Sequence, residues 1–277
     1  MTRVVSIIQG RMSSSRLPGK ILAEIAGQPM LQRVYLRASR AVRVDETIFA
    51  TTTDPSDDAV AEYCGFSGLP CARGSLYDVL DRYYQVAREA EAQVVVRITA
   101  DCPVIDPTLI DAVVGTLLEG GYDFACNRLP PPWRRSYPIG LDVEACTFEA
   151  LEEAWKNADA PQQREHVMPW FYEGAQLAPE GAQQAPEGRR LEAGTSPRGC
   201  KIALLHHRSD FGDYRWTVDT AEDLEFIRQV YARFGGRDDF SWTEVLELVH
   251  SEPGLMQINA GVKHKTLKDI DERAAGH

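Results

Sequence analysis

An α/β fold, with a mainly parallel sheet and helices on both faces, is predicted by three observations on this sequence. Strand-like and helix-like segments alternate from residue 3 to residue 121. The strand-like segments are short apolar runs rich in β-branched residues, as strands covered on both faces are. The helix-like segments carry their apolar residues on one side and end at capping residues or glycines. In such sheets ligands sit outside the carboxyl ends of the strands.

The elements follow in order. RVVSIIQ (3–9) is a buried strand, and PMLQRVYLRASRA (29–41) repeats apolar residues at helical spacing, with Pro29 allowed in the first turn. ETIFATTT (46–53) is a strand, and SDDAVAEYCGF (56–66) a short helix that starts on a Ser56 cap and ends at a glycine. SLYDVLDRYYQVAREAEA (75–92) is amphipathic, with apolar residues at 76, 79, 80, 83, 86 and 87. VVVRITADCPVID (94–106) reads as strand then loop, and PTLIDAVVGTLLEGG (107–121) as a helix with a glycine stop.

Beyond residue 121 the pattern loosens. Three consecutive prolines and two arginines in YDFACNRLPPPWRRSYPIGLDVEA suit an exposed excursion. TFEALEEAWKNA (147–158) is helical, and QREHVMPWFYEG (163–174) is a second helix interrupted near Pro169. Residues 175–188 repeat A-Q-x-A-P-E-G twice with no apolar face, so 175–199 is expected to be a mobile surface loop. YRWTVDTAEDLEFIRQVYARFG (214–235) reads as a strand turning into a helix, with Thr220 and Asp223 as a cap pair. SWTEVLELVHS (241–251) is another capped helix, and the polar tail from 261 is expected to fray.

Composition narrows the function. The 277 residues are 44% apolar and 26% charged, which fits an ordinary globular protein. No apolar run is long enough for a membrane span, and the first residues lack a signal-peptide pattern, so a cytoplasmic location is expected. A formal net charge of −11 argues against nucleic acid as a partner. The six cysteines contain no C-x-x-C pair and read as buried small residues.

On this acidic chain the first strand runs directly into GRMSSSRLPGK, where Arg11, Arg16 and Lys20 surround three serines. A P-loop is excluded, because Ser14 and Ile21 stand where G-x-x-x-x-G-K-[ST] needs Gly and Ser or Thr. What remains is a loop of small residues whose backbone N–H groups, guanidinium forks and one ammonium can converge on a polyphosphate. Pro18 and Gly19 fix its turn.

GRMSSSRLPGKIL resembles the R-x-x-S-x-R-L-P-G-K-x-L signature of cytidylyltransferases of the CMP-Kdo and CMP-sialic acid synthetase superfamily, and is most similar to the SpsF-type branch. RGSLYDVLDRYY (73–84), VRITADCPVIDP (96–107), YPIGLDVEA (137–145), REHVMPW (164–170) and RWTVDTAEDLE (215–225) resemble that branch in the same order, over most of residues 1–235. Two departures, Ile139 in place of an acidic residue and the 175–199 insertion, bear on the acceptor.

The resemblance implies a single Rossmann-like, GT-A-like nucleotidyltransferase domain over 1–250. Residues 1–121 would form the nucleotide-binding half, 122–250 the acceptor half with a smaller dimerisation excursion, and 251–277 a tail. It implies CMP transfer from CTP to an acidic sugar or related hydroxyl acceptor, an eight- or nine-carbon 2-keto acid being the first candidate. Pyrophosphate is released, Mg²⁺ is the cofactor, and surface polysaccharide or glycoconjugate synthesis is the setting.

By that resemblance Gln9, Arg11, Ser13, Ser14, Arg16, Lys20, Arg73, Asp78, Arg82 and Asp101 face the nucleotide. Of these, Arg11, Arg16, Lys20 and Asp101 are expected to be catalytic, and Asp101 and Asp219 to be metal ligands, although an Asp at a strand end also serves as a cap. Asp78 and Arg82 have the alternative of an exposed i,i+4 pair. Asp142, Glu144, Arg164, Glu165 and His166 are expected on the acceptor side, an Arg clamping an anionic group and His166 orienting or deprotonating a hydroxyl. A homodimer is expected, with the 129–138 excursion and HVMPWFY as its apolar surface. Two other functions fit parts of the pattern. A nucleotide-sugar glycosyltransferase is disfavoured because TADCP has one Asp where D-x-D needs two. A non-catalytic nucleotide-binding protein is disfavoured because Asp101 and Asp219 would repel each other without metal.

Overall fold

A computed structural model of the protein describes residues 2–179 and 188–263. The first half runs β1 (Val4–Gln9), a small ribbon of β2 (Glu24–Ile25) and β3 (Gln28–Pro29), α1 (Met30–Ala38), β4 (Glu46–Thr52), α2 (Asp58–Ser67), β5 (Cys71–Gly74), α3 (Val79–Glu89), β6 (Val94–Thr99) and α4 (Pro107–Gly120). The second half continues β7 (Phe124–Cys126), β8 (Glu144–Thr147), α5 (Phe148–Asn157), α6 (Pro161–His166), α7 (Pro169–Tyr172), β9 (Gln176–Pro179), β10 (Arg189–Thr195), β11 (Lys201–His207), α8 (Ala221–Arg233) and α9 (Trp242–Ser251).

One nine-stranded sheet spans both halves in the order β5-β4-β1-β6-β8-β7-β11-β10-β9. Strands β5, β4, β1 and β6 are mutually parallel. Beyond β6 the sheet is mixed: β8 is antiparallel to both neighbours, β11 is parallel to β7, and β10 and β9 add an antiparallel ribbon.

β1 shows why the sheet forms. Val4 and Ile8 join the core on one face with Val34, Val113, Phe226 and Val230, while Val5 and Ile7 join the other with Tyr83, Leu151 and Phe171. Each fully buried aliphatic side chain contributes about 1.5–3 kcal/mol, so a polar residue on either face of this strand opposes the fold. The capping boxes at Thr220/Asp223 and Ser241/Glu244 start α8 and α9 where the sequence signals place them.

Several local expectations change. α2 is preceded by a 3₁₀ turn at 55–57 that Asp54, not Ser56, caps; the helix passes through Gly65 and stops at Gly68, whose φ is +67°. Pro169 starts α7, and the break lies at Val167 with φ +67°. Residues 176–179 and 189–195, expected to be loop, are paired strands; Leu191 and Ala193 are buried there, on alternate positions the repeat did not include. Residues 180–187, which carry most of the repeat, lie outside the described residues. The expected strand before α8 reduces to a single bridge between Ile139 and Arg215.

HVMPWFY does not offer apolar surface for a dimer, because Val167, Met168, Trp170, Phe171 and Tyr172 are buried in the chain's own core. The segment after α9 folds back through a 3₁₀ turn at 253–257, with an ordered turn at 259–262 where fraying was expected from 261; residues 264–277 lie outside the described residues. No helix among the described residues is long and apolar enough to cross a membrane.

Candidate active site

The basic loop leaves the carboxyl end of β1 between β4 and β6. Gly10 permits this path: a Cβ there would stand 2.7 Å from the Ala100 Cβ and 2.9 Å from the Phe49 ring. The loop closes on itself where the Met12 carbonyl accepts from the N–H groups of Ser14 and Gly19, both at 2.9 Å. Gly19 has a φ of +75°, a conformation that side-chain-bearing residues rarely take. The fully buried Asp57 holds the loop from beside α2, accepting from the Met12 N–H at 2.6 Å and from the Thr52 hydroxyl.

Lys20 stands at the centre of the site. Its ammonium donates to Asp101 Oδ2 at 2.8 Å, Asp219 Oδ1 at 3.0 Å and the Val218 carbonyl at 2.7 Å, which uses all three donors. The two carboxylates therefore share one cation and do not face each other uncompensated, which corrects the expectation that they repel without metal. Asp219 Oδ2 is held in turn by Arg16 Nη2 and Arg215 Nη2, both at 2.8 Å. Burial favours the neutral acid, but Lys20 and Arg16 outweigh it and hold the Asp219 carboxyl at about 2. Burial likewise opposes the charge on Lys20, and Asp101 and Asp219 overcome it to raise its pKa. Both side chains are ionised at neutral pH.

A cleft with three adjoining lobes passes over this centre. The outer lobe, of about 310 Å³, is lined by Arg11, Ser13, Leu76, Tyr77, Arg82 and His166, among others. The central lobe, of about 250 Å³, shares Gln9, Arg11, Ser13 and Glu165 with it and adds Ser14, Arg16, Lys20, Asp101 and Asp219. The inner lobe, of about 180 Å³, shares Asp101 and Asp219 and adds Arg97, Arg128, Asp142 and Glu144.

The remaining expected residues divide. Arg82 is buried in the outer lobe and donates to the Ser75 carbonyl at 2.9 Å; it does not pair with Asp78, and its Nε has no hydrogen-bond partner among the described residues. Asp78 caps α3 and binds Arg164 instead, so neither lines the cleft. Arg73 braces the β4–α2 turn through the Thr52 and Asp54 carbonyls and Asp58. It too lies outside the three lobes.

Asp142 and Glu144 reach the inner lobe, paired with Arg135 and Arg97. Glu165 and His166 face the outer lobe, on the loop side rather than the inner side. Burial, reinforced by Arg97 and Arg128, lowers the His166 pKa to about 4, so its ring is neutral.

Leu76 and Tyr77 were missed, Leu76 because it continues the helical apolar spacing; α3 starts only at Val79, and both residues line the cleft. Arg97 and Arg128 were missed as well. A charged residue inside VVVRIT was the available signal for Arg97, and Arg128 had none.

Comparison with known proteins agrees with this geometry. The profile of a family described as cytidylyltransferase matches residues 5–235. The spore coat polysaccharide biosynthesis protein SpsF of Bacillus subtilis is 28% identical over 91% of this chain and 96% of its own length. A 3-deoxy-manno-octulosonate cytidylyltransferase of Anaeromyxobacter is 31% identical over 84% of this chain and 99% of its own. The solved structure of a cytidylyltransferase from Leptospira borgpetersenii is 27% identical, covers 95% of this chain and all of that one, and superposes with a TM-score of 0.78. A mixed α/β sheet with a charged cleft at its strand ends and a family profile over most of the chain lead to one conclusion: the chain belongs to the cytidylyltransferase family and is a nucleotidyltransferase.

Proposed function

We propose that the chain transfers CMP from CTP to a hydroxyl of an anionic sugar, in the service of surface polysaccharide or glycoconjugate synthesis. The observation that carries this reading is the position of Lys20, which lines the central lobe and is bound to both Asp101 and Asp219, the carboxylates that the central and inner lobes share. A triphosphate in the central lobe and an acceptor in the inner lobe would meet there. The outer lobe, with Leu76, Tyr77 and the Arg82 guanidinium, suits a base and its ribose, an apolar wall beside a few directed donors. The relative named as a 3-deoxy-manno-octulosonate cytidylyltransferase supports an eight-carbon acidic sugar as the first acceptor to try, and the relative named as a spore coat polysaccharide biosynthesis protein supports the polysaccharide setting.

The acceptor hydroxyl attacks the α-phosphorus and gives up its proton to solvent, the bond from the α-phosphorus to the oxygen bridging to the β-phosphorus breaks, and pyrophosphate leaves with that oxygen. Such transfer depends on positioning and on neutralising charge as it moves to the leaving group. Arg11, Arg16 and Lys20 line the lobe in which that charge would develop. Arg128 lines the inner lobe with no ion-pair partner among the described residues and suits the acceptor's anionic group. His166, neutral and only weakly basic, suits orienting a ligand by hydrogen bond more than taking a proton.

Charge balance supports a divalent cation. The cations Lys20, Arg16 and Arg215 are matched by Asp101, Asp219 and Asp223, so the centre has little net positive charge for a triphosphate. Among the described residues no three acidic, His or Cys side chains converge into a ready-made cage. Two carboxylates fit Mg²⁺ when nucleotide phosphates and water complete its shell. Asp101 and Asp219 would hold it, where it would polarise the phosphoryl oxygens. The test is pyrophosphate release from CTP and Mg²⁺ across a panel of acidic sugars and their neutral analogues. Release with an acidic sugar alone supports the reading; release with a neutral analogue to the same extent would contradict the anionic acceptor.

A further inference from the structure

Behind Asp219 a chain of hydrogen bonds leads away from the cleft to a part of the molecule outside the expected catalytic domain. Arg215 Nη2 holds Asp219 and also binds Asp223 Oδ2 at 2.9 Å, while its Nε binds Asp223 Oδ1 at 2.9 Å. Asp223 Oδ2 accepts from the backbone N–H groups of Asp219 and Thr220, at 3.0 and 3.1 Å. Asp223 is fully buried and sets both the backbone and the side chain of Asp219.

The group that closes this anchor is Asn259. Its amide Nδ2 donates to Asp223 Oδ1 and to the Arg215 carbonyl, both at 3.0 Å, and the residue is 6% exposed. Asn259 is brought there from α9 by the 3₁₀ turn at 253–257, with Leu255 buried and Met256 and Ile258 packed on the core. The same segment ends on the basic loop, where the Lys263 carbonyl accepts from Arg16 Nη1 at 3.4 Å.

We infer that Asn259 is a positioning residue for the metal–triphosphate centre: through Asp223 and Arg215 it fixes the carboxylate of Asp219, making the segment after α9 part of the active site's support. This inference rests on the reading that Asp219 faces the nucleotide's phosphates and their cation. The physical reason is satisfaction of a buried network. Asp223 binds four groups, the Arg215 fork, two backbone N–H groups and the Asn259 amide. Without the amide, Asp223 Oδ1 keeps the Arg215 Nε bond but loses its second donor, and the Arg215 carbonyl loses the Asn259 donor, so the buried pair that steadies Asp219 is held less firmly from behind. Groups that orient metal-binding carboxylates from behind typically change affinity or activity by about 10- to 100-fold when removed.

The experiment is calorimetric titration of CTP, with and without Mg²⁺, into the wild-type chain, Asn259→Ala and Asn259→Asp, with thermal melting in parallel. For a positioning role, the gain in CTP affinity that Mg²⁺ brings falls by roughly tenfold or more in Asn259→Ala, while metal-free CTP affinity stays within about twofold. A purely structural role lowers the melting temperature and leaves the Mg²⁺ gain of the folded protein at the wild-type value, and that result overturns the inference. Asn259→Asp keeps the volume but replaces the donor with a carboxylate facing Asp223, and loses the gain at least as fully. Asn259→Leu, which removes the donor with little change of volume and no added charge, serves if the other variants do not fold. A wild-type chain that binds no CTP refutes the functional reading itself, and with it this inference; wild-type binding with an unchanged variant refutes the inference alone.

Discussion

The two halves of the sheet solve the same problem in different ways. In β5-β4-β1-β6 every strand runs in one direction, so the exits of β4, β1 and β6 all open on the same edge. Short loops there suffice to bring Asp57, Lys20 and Asp101 together. From β8 to β9 the directions are mixed, with β7 and β11 parallel and the other neighbours antiparallel, so strand ends point to both edges. The inner lobe is built where the halves meet, from side chains within strands, Arg97 of β6 and Glu144 of β8, and from the long excursion that carries Arg128, Ile139 and Asp142. Gly140, with φ +103°, lets this excursion lie against the 216–217 backbone, since a Cβ there would stand 2.6 Å from the Thr217 nitrogen. On the proposed reading, the parallel half supplies the polyphosphate site and the mixed half, with its longer excursion, the acceptor's surroundings.

The strongest way to break this division is Lys20→Met, because Lys20 belongs to both sides. Removing it leaves Asp101 and Asp219 without their shared cation, and turnover should fall by more than about 100-fold. Stability should drop by about 3 kcal/mol, the low end for a buried pair because Asp101 keeps a quarter of its side chain exposed. Steady-state rates and denaturant melts measure the two.

Next in size is a pH effect at His166, whose helix belongs to the second half while its ring faces the first. Its pKa is about 4 in the fold against an ordinary 6.5, so the unfolded chain takes up a proton first as pH falls. The contribution is complete above about 6.5 and is lost as pH falls toward 4, roughly 3 kcal/mol at the limit. His166→Gln should lose less stability than wild type between those pH values; parallel melting curves would contradict this assignment.

Arg128→Ala separates the halves by kinetics. It should raise the acceptor KM by about tenfold to 100-fold, the worth of one charge-assisted contact, with the CTP KM unchanged. A rise in the CTP KM alone would move Arg128 to the nucleotide side. Tyr77→Ala is the converse and the smallest effect. Tyr77 is 41% exposed at the outer lobe, and loss of one aromatic face should raise the CTP KM by about two- to tenfold with no change for the acceptor.

The same contrast explains what the sequence disclosed. Most of the parallel half was legible because β1, β4 and β6 are apolar, β-branched runs alternating with helical segments, and because the Arg11–Lys20 loop sits at a strand end; β5, whose CARG is neither apolar nor β-branched, left no such mark. β7, β8 and β11 left weaker marks, being short or flanked by irregular chain. Pairings across the fold were not legible at all. Asp78 and Arg82 have helical spacing, but Asp78 is the cap of α3 and lies outside the turn that would bring it to Arg82, so it pairs with Arg164. The repeat at 175–188 drew attention to its polar composition and away from Leu191 and Ala193, which pair a strand into the sheet just beyond it.

The measurement that tests the nucleotide assignment most directly is calorimetric titration of ATP, GTP, UTP and CTP into the protein, each with and without Mg²⁺. The account predicts selective binding of CTP that strengthens with Mg²⁺. Preference for a nucleotide sugar, or no nucleotide binding, would contradict it.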